Sequence, residues 1–134
     1  MELIKTMSTM TRQLRTVPRQ SRLPSNYAHD YTLRGLSEYK EKNYDRAIED
    51  YTQAILLDPN DVYAYTLRGI AYYHKGDYDR AIEDYTAALK IDPNNAYALT
   101  WRGEAYEKKD DKKRAIADFQ AAKLIDANNN NGII

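Results

Sequence analysis

Val62-Tyr-Ala-Tyr-Thr-Leu-Arg-Gly-Ile-Ala-Tyr-Tyr-His-Lys-Gly-Asp-Tyr-Asp-Arg-Ala-Ile-Glu-Asp-Tyr-Thr-Ala-Ala-Leu-Lys-Ile-Asp-Pro-Asn-Asn95 is the stretch whose reading decides the fold. Moved back by its own length it falls on Ala28–Asp61, and moved forward by its own length it falls on Ala96–Asn129. Arg34-Gly35, Arg68-Gly69 and Arg102-Gly103 keep that spacing, as do Arg46-Ala47-Ile48, Arg80-Ala81-Ile82 and Arg114-Ala115-Ile116. A fixed period without insertions describes one structural unit used three times and stacked on itself.

Each unit divides into two helical halves. In the central unit these are Val62–Lys75 and Tyr78–Ile91. Gly76-Asp77 separates them, because glycine adopts the left-handed conformation that ends a helix. Asp92-Pro93-Asn94-Asn95 ends the second half. Proline disfavours the helical conformation in the residue before it, and Asn95 is a good N-cap for the next helix. Asp58-Pro59-Asn60-Asp61 repeats the device one unit earlier. Small residues recur in phase at Gly35, Ala47 and Ala54, at Gly69, Ala81 and Ala88, and at Gly103, Ala115 and Ala122. They let two helices approach closely. Tyr65, Tyr72, Ile82, Tyr85 and Ile91 are expected to fill the space around them. One pair cannot bury this surface alone, so about three units are needed.

These residues resemble the tetratricopeptide repeat (TPR), whose pattern of an aromatic, Gly, Tyr, Ala, aromatic, Ala and Pro is met here by Tyr65, Gly69, Tyr72, Ala81, Tyr85, Ala88 and Pro93. The resemblance covers Ala28 to Asn129. It implies an all-α, right-handed α-solenoid of three helix-turn-helix pairs, with the first helices lining a concave groove, and a binding scaffold rather than an enzyme. The expected division is a basic segment at 1–25, a repeat domain at 26–129 built of 28–61, 62–95 and 96–129, and a tail at 130–134. Departures from the pattern fall mainly in repeat three. Lys112 replaces Tyr44 and Tyr78, Lys123 replaces Ile55 and Leu89, and Ala127 replaces Pro59 and Pro93. A polar face suits the end of a stack. The family's extra solvating helix is not expected, and Asn128–Asn131 is expected to fray.

Leu3, Met7, Met10, Leu14 and Val17 form one helical stripe ahead of Pro18, which predicts an extra amphipathic helix at 3–16 and an extended linker from Pro18 to Ser25. Lys5, Arg12, Arg15, Arg19 and Arg22 face only Glu2 in this segment, so the repeats carry a net negative charge within a chain of zero formal charge. A docked cap, a removable presequence and a helix lying on an anionic membrane all fit it. Membrane contact is expected only through 1–25. No run is apolar enough to span a bilayer. No nucleic-acid motif is present, and the expected location is cytoplasmic, with organelle targeting by 1–25 left open.

The chemistry available points away from catalysis. The chain has no Cys and only two His, His29 and His74, with no third ligand at metal spacing. No nucleophile elbow or phosphate-cradling loop is present. No catalytic residue, cofactor or metal is therefore expected. Arg34, Arg68 and Arg102 suggest an anion ladder, but Asp50, Asp84 and Asp118 follow them at one constant interval. In antiparallel helix pairs each Arg would meet its own Asp in an oriented pair.

By the family resemblance, the groove would be lined by Thr32, Leu36, Tyr39 and Lys40, by Thr66, Ile70, Tyr73 and His74, and by Thr100, Glu104, Glu107 and Lys108. Spacings of four and three also mark one helix face. The expected partner is a peptide or partner helix with an apolar segment and a basic end. Self-association through exposed stack ends, giving a homo-oligomer, is an alternative, as is a membrane- or organelle-targeted adaptor. The carboxylate clamp by which TPR co-chaperones grip chaperone tails ending in EEVD is not matched: its positions hold Thr32, Leu36, Leu67, Tyr97 and Trp101.

Overall fold

The computed structural model describes residues 24–133, which form six helices and no strand. They divide into two compact units between Pro59 and Asn60. The first holds α1 (Pro24–Lys40) and α2 (Tyr44–Leu57); the second holds α3 (Val62–Lys75), α4 (Tyr78–Ile91), α5 (Ala96–Lys108) and α6 (Lys112–Ile133). The fold is all-α, three helix-turn-helix pairs in sequence. The expected helix at 3–16 and most of the expected linker lie outside the described residues. The linker's end is helical instead: α1 begins at Pro24. Proline is tolerated there because the first helical N–H has no partner within its helix.

Each hairpin is organised about one turn residue. Gly76 takes φ 88°, and the residues one period away, Lys42 and Asp110, take φ 65° and 63°. Just past each turn the chain closes back on the helix it has left: the N–H groups of Asn43, Asp77 and Asp111 donate to the carbonyls of Glu38, Tyr72 and Tyr106 at 2.8, 2.9 and 2.9 Å. Side chains cap the helices that begin after these turns and after the proline-bearing connections. Asp61 accepts from the N–H groups of Tyr63 and Ala64, Asp77 from that of Arg80, Asn95 from that of Ala98, and Asp111 from that of Arg114. Such caps contribute about 1 kcal/mol each. In repeat one, Asn43 instead donates its Nδ2 to Glu38 Oε1 at 3.0 Å, which gives Glu38 a task where the other repeats carry Tyr.

Residues equidistant from a turn meet. A ring presses against each helix glycine: a Cβ at Gly35 would fall 2.5 Å from Tyr51 Cε1, at Gly69 2.5 Å from Tyr85 Cε1, and at Gly103 2.6 Å from Phe119 Cε1. Only glycine admits that approach. Tyr51, Tyr85, Ala47, Ala54, Ala81 and Ala88 are buried around these contacts. Tyr65, Tyr72 and Ile82 are half-buried, whereas Ile91, expected in the core, is 39% exposed at the end of α4. In the second unit, α5 packs on α4 and α6 and also touches α3.

The third repeat ends differently from expectation. α6 runs without a break from Lys112 to Ile133, through the Asn run and most of the expected tail. Ala127 is the reason. Pro59 and Pro93 stop the chain in the two earlier repeats, and nothing at 127 opposes another turn of helix.

Candidate functional site

The expected Arg–Asp pairs form inside the hairpins. Arg68 donates from Nε and Nη2 to Asp84 at 2.9 and 2.8 Å, and Arg102 grips Asp118 in the same forked way at 2.8 and 2.8 Å. Arg102 also donates from Nη1 to Thr86 Oγ1 at 3.2 Å, tying α5 to α4. These hydrogen bonds to carboxylates raise the pKa of both guanidinium groups. In repeat one Arg34 Nε lies 3.4 Å from Asp50 Oδ2, and burial dominates: it pushes Asp50 up to about 6 and lowers Arg34. Guanidinium groups so engaged are framework, not an anion ladder. Arg80 and Arg114 lie over the rings of Tyr72 and Tyr106, each at 5.7 Å, which braces the two hairpins of the second unit.

An open hollow lies on α3 and α5. Tyr73, Thr100, Trp101 and Glu104 line its volume of about 320 Å³. The Tyr73 and Trp101 rings stand 5.3 Å apart at 78°, and His74 lies 5.4 Å from Tyr73 and 5.9 Å from Trp101. Tyr97 extends the cluster, 6.4 Å from Trp101, and Tyr78 backs it, 5.3 Å from Tyr73. Edge-to-face pairs at these separations are the favoured aromatic geometry. Burial raises the Tyr73 phenol pKa, and the negative charges of Glu104 and Glu107 add to it. Partial desolvation lowers the pKa of His74.

Of the residues expected in the groove, Thr32, Thr66 and Ile70 are not on the surface, at 3%, 1% and 4% exposed. These three belong to the interior, and the threonines spend their hydroxyls on their own helices, donating to Ala28 O and Val62 O. Among the rest, Leu36 and Tyr39 are half-buried and Lys40 exposed on α1, with Tyr39 packed 5.6 Å from Tyr44. In the second unit the structure brings Tyr73 together with Thr100 and Glu104; Glu107, Lys108 and His74 are exposed. Trp101, which lines the hollow, and Tyr97 beside it were not among the residues expected to line the groove. Their i, i+4 spacing on α5 is the signal that marks them. Among the described residues no cluster of His, Asp or Glu is arranged to hold a metal, and no helix is long and apolar enough to cross a membrane.

No curated protein matches the chain. Solved structures do. The crystal structure of MamA aligns with TM-score 0.77 at 27% identity over 81% of this chain, which spans only 63% of that one. The Arabidopsis OM64 TPR domain aligns with TM-score 0.77 at 29% identity, covering 79% of this chain and 88% of that domain. The second TPR of Spaghetti (RPAP3), bound to the HSP90 peptide SRMEEVD, gives 0.73 at 31% identity, with 75% and 94% covered. A family model described as tetratricopeptide repeat matches residues 32–96 and 76–131, most of the chain and all three hairpins. With the glycine-on-ring contacts recurring in each hairpin, the conclusion is that the chain belongs to the tetratricopeptide repeat family.

Proposed function

We propose that this chain is a protein-interaction scaffold that takes a peptide or partner helix on its first helices. Neighbours of the same fold support the class: TPR domains of Spaghetti (RPAP3) are bound to an HSP90 peptide, and the TPR2B domain of yeast Sti1 is in a complex with pHsp70. The observation that carries the reading is the aromatic hollow, which the half-buried Tyr73 and Trp101 line together with Glu104. Aromatic side chains that keep one face open are natural anchors for a partner.

The charge of this surface sets the partner's character. Glu104 and Glu107 put a negative field over Tyr73. The clamp positions Thr32 and Leu67 are buried and uncharged. An acidic chaperone tail therefore meets repulsion here, and a segment with apolar and basic side chains meets complementarity. The reading is of a binding scaffold, not an enzyme.

A photo-crosslinking residue in place of the exposed Thr100 tests this directly. Adducts with a partner protein should form there and not from exposed Lys123 on α6. Adducts only between copies of the chain would favour self-association. Adducts no more frequent from position 100 than from Lys123 would overturn the reading, and a peptide ending in EEVD that binds tightly and protects position 100 would overturn the assignment of a basic partner.

A further inference from the structure

We infer that the hollow between α3 and α5 is a receptor for one cationic side chain, a lysine ammonium or an arginine guanidinium, of the partner segment. This rests on the interaction reading above and adds the chemistry of its central contact.

Three observations carry it. Tyr73 and Trp101 stand nearly perpendicular at 5.3 Å, so their surfaces form a corner rather than a closed stack. The negative face of an aromatic ring attracts a cation within about 6 Å, most strongly at tryptophan. Glu104 lines the same hollow, and among the described residues its carboxylate is held by no ion pair or hydrogen bond. A carboxylate and two ring surfaces converging on one space favour a cation over a neutral group of equal size. The third observation is that the imidazole beside both rings competes weakly for that space: burial lowers the pKa of His74 from its ordinary value. Lys108, one helical turn beyond Glu104, is exposed and does not line the hollow. The guanidinium groups of Arg68 and Arg102 have their carboxylates inside the hairpins, so Glu104 is left for a cation from outside.

The chain contains a single tryptophan, so the indole N–H resonance of Trp101 reports on the hollow without ambiguity. The full chain should be titrated with Nα-acetyl-lysine amide and Nα-acetyl-arginine amide, and with Nα-acetyl-norleucine amide as the neutral control. The two cations should shift the Trp101 resonance saturably and norleucine should not. Glu104→Gln should weaken the cations about tenfold or more, the scale of a lost hydrogen bond to a charged group. Glu83→Gln, on the exposed face of α4, should leave them unchanged. Equal binding of norleucine, or cation binding that ignores Glu104→Gln, would overturn the inference. Either result leaves the interaction scaffold standing, because crosslinking at position 100 tests that separately.

Discussion

Replacing Gly69 by Ala sets two magnitudes against each other. Helix propensity favours alanine over glycine in a helix interior by about 0.8–1.0 kcal/mol. Packing opposes it. The added Cβ would lie 2.5, 2.8 and 3.1 Å from Cε1, Cδ1 and Cζ of Tyr85. Carbon atoms rest at about 3.5–4.0 Å. The Tyr85 ring is 0% exposed, so it has no open direction in which to retreat. Relief requires an off-rotamer ring, at about 0.5–1.5 kcal/mol, together with separation of α3 from α4. Overpacking of this kind costs about 1–3 kcal/mol, and the clash of three ring atoms puts it in the upper part of that range. The net expectation is a loss of about 1–2 kcal/mol, opposite in sign to propensity. Urea unfolding followed by circular dichroism measures it. Gly103→Ala should cost less, because Phe119 is only half-buried and its ring has room to move. In a Tyr85→Leu background, where Cε1 and Cζ are gone, Gly69→Ala should become neutral or stabilising. A Gly69→Ala protein about 1 kcal/mol more stable than the parent, the value propensity alone gives, would refute the reasoning.

Asp84→Ala strands the partly buried Arg68 guanidinium. It should destabilise the protein by about 3 kcal/mol, the low end for a broken buried pair because the Arg side chain is 19% exposed; equilibrium unfolding checks it, and a loss below about 1 kcal/mol, the range of exposed pairs, would mean the pair is ornamental. Asp50 titrates near 6 in the folded chain against 3.8 for an ordinary Asp, so the folded state holds the proton more tightly. That contribution to stability is fully present below about pH 4 and is lost as pH rises through about 6, up to about 3 kcal/mol. Asp50→Asn should flatten the stability profile across that window, and unfolding midpoints at pH 4, 5, 6 and 7 compare the two. Ala127→Pro should restore the stop that the other repeats carry and end α6 near Asp126; loss of helical chemical shifts at 127–133 would show it, and their persistence would sink the account of α6.

Much of this fold was legible because its decisive contacts are close in sequence. A constant period named the repeat, and Pro59, Pro93, Asp61, Asp77 and Asn95 marked helix ends to within about a residue. The Arg–Asp pairs were readable for the same reason. Their partners are symmetric about one turn, so an antiparallel hairpin joins them whatever else the chain does. Three things needed tertiary structure. Lys42 and Asp110 hold left-handed backbone where sequence alone marks only Gly76, because the hairpin geometry demands it and the side chains do not advertise it. The extent of α6 emerged only from the structure: the Asn run suggested a frayed end by composition, and the weight of Ala127 in place of proline, though printed in the sequence, was not drawn from it. The site itself was only half visible. Helix periodicity ranks Thr66, Ile70 and Tyr73 alike on one face, yet Thr66 and Ile70 are buried and Tyr73 is half-buried at the edge of the hollow. Trp101 meets Tyr73 from a different repeat, on a different helix. Which residues of a helix face go inward, and which rings meet, is decided by packing between repeats, and no spacing within a single repeat encodes that.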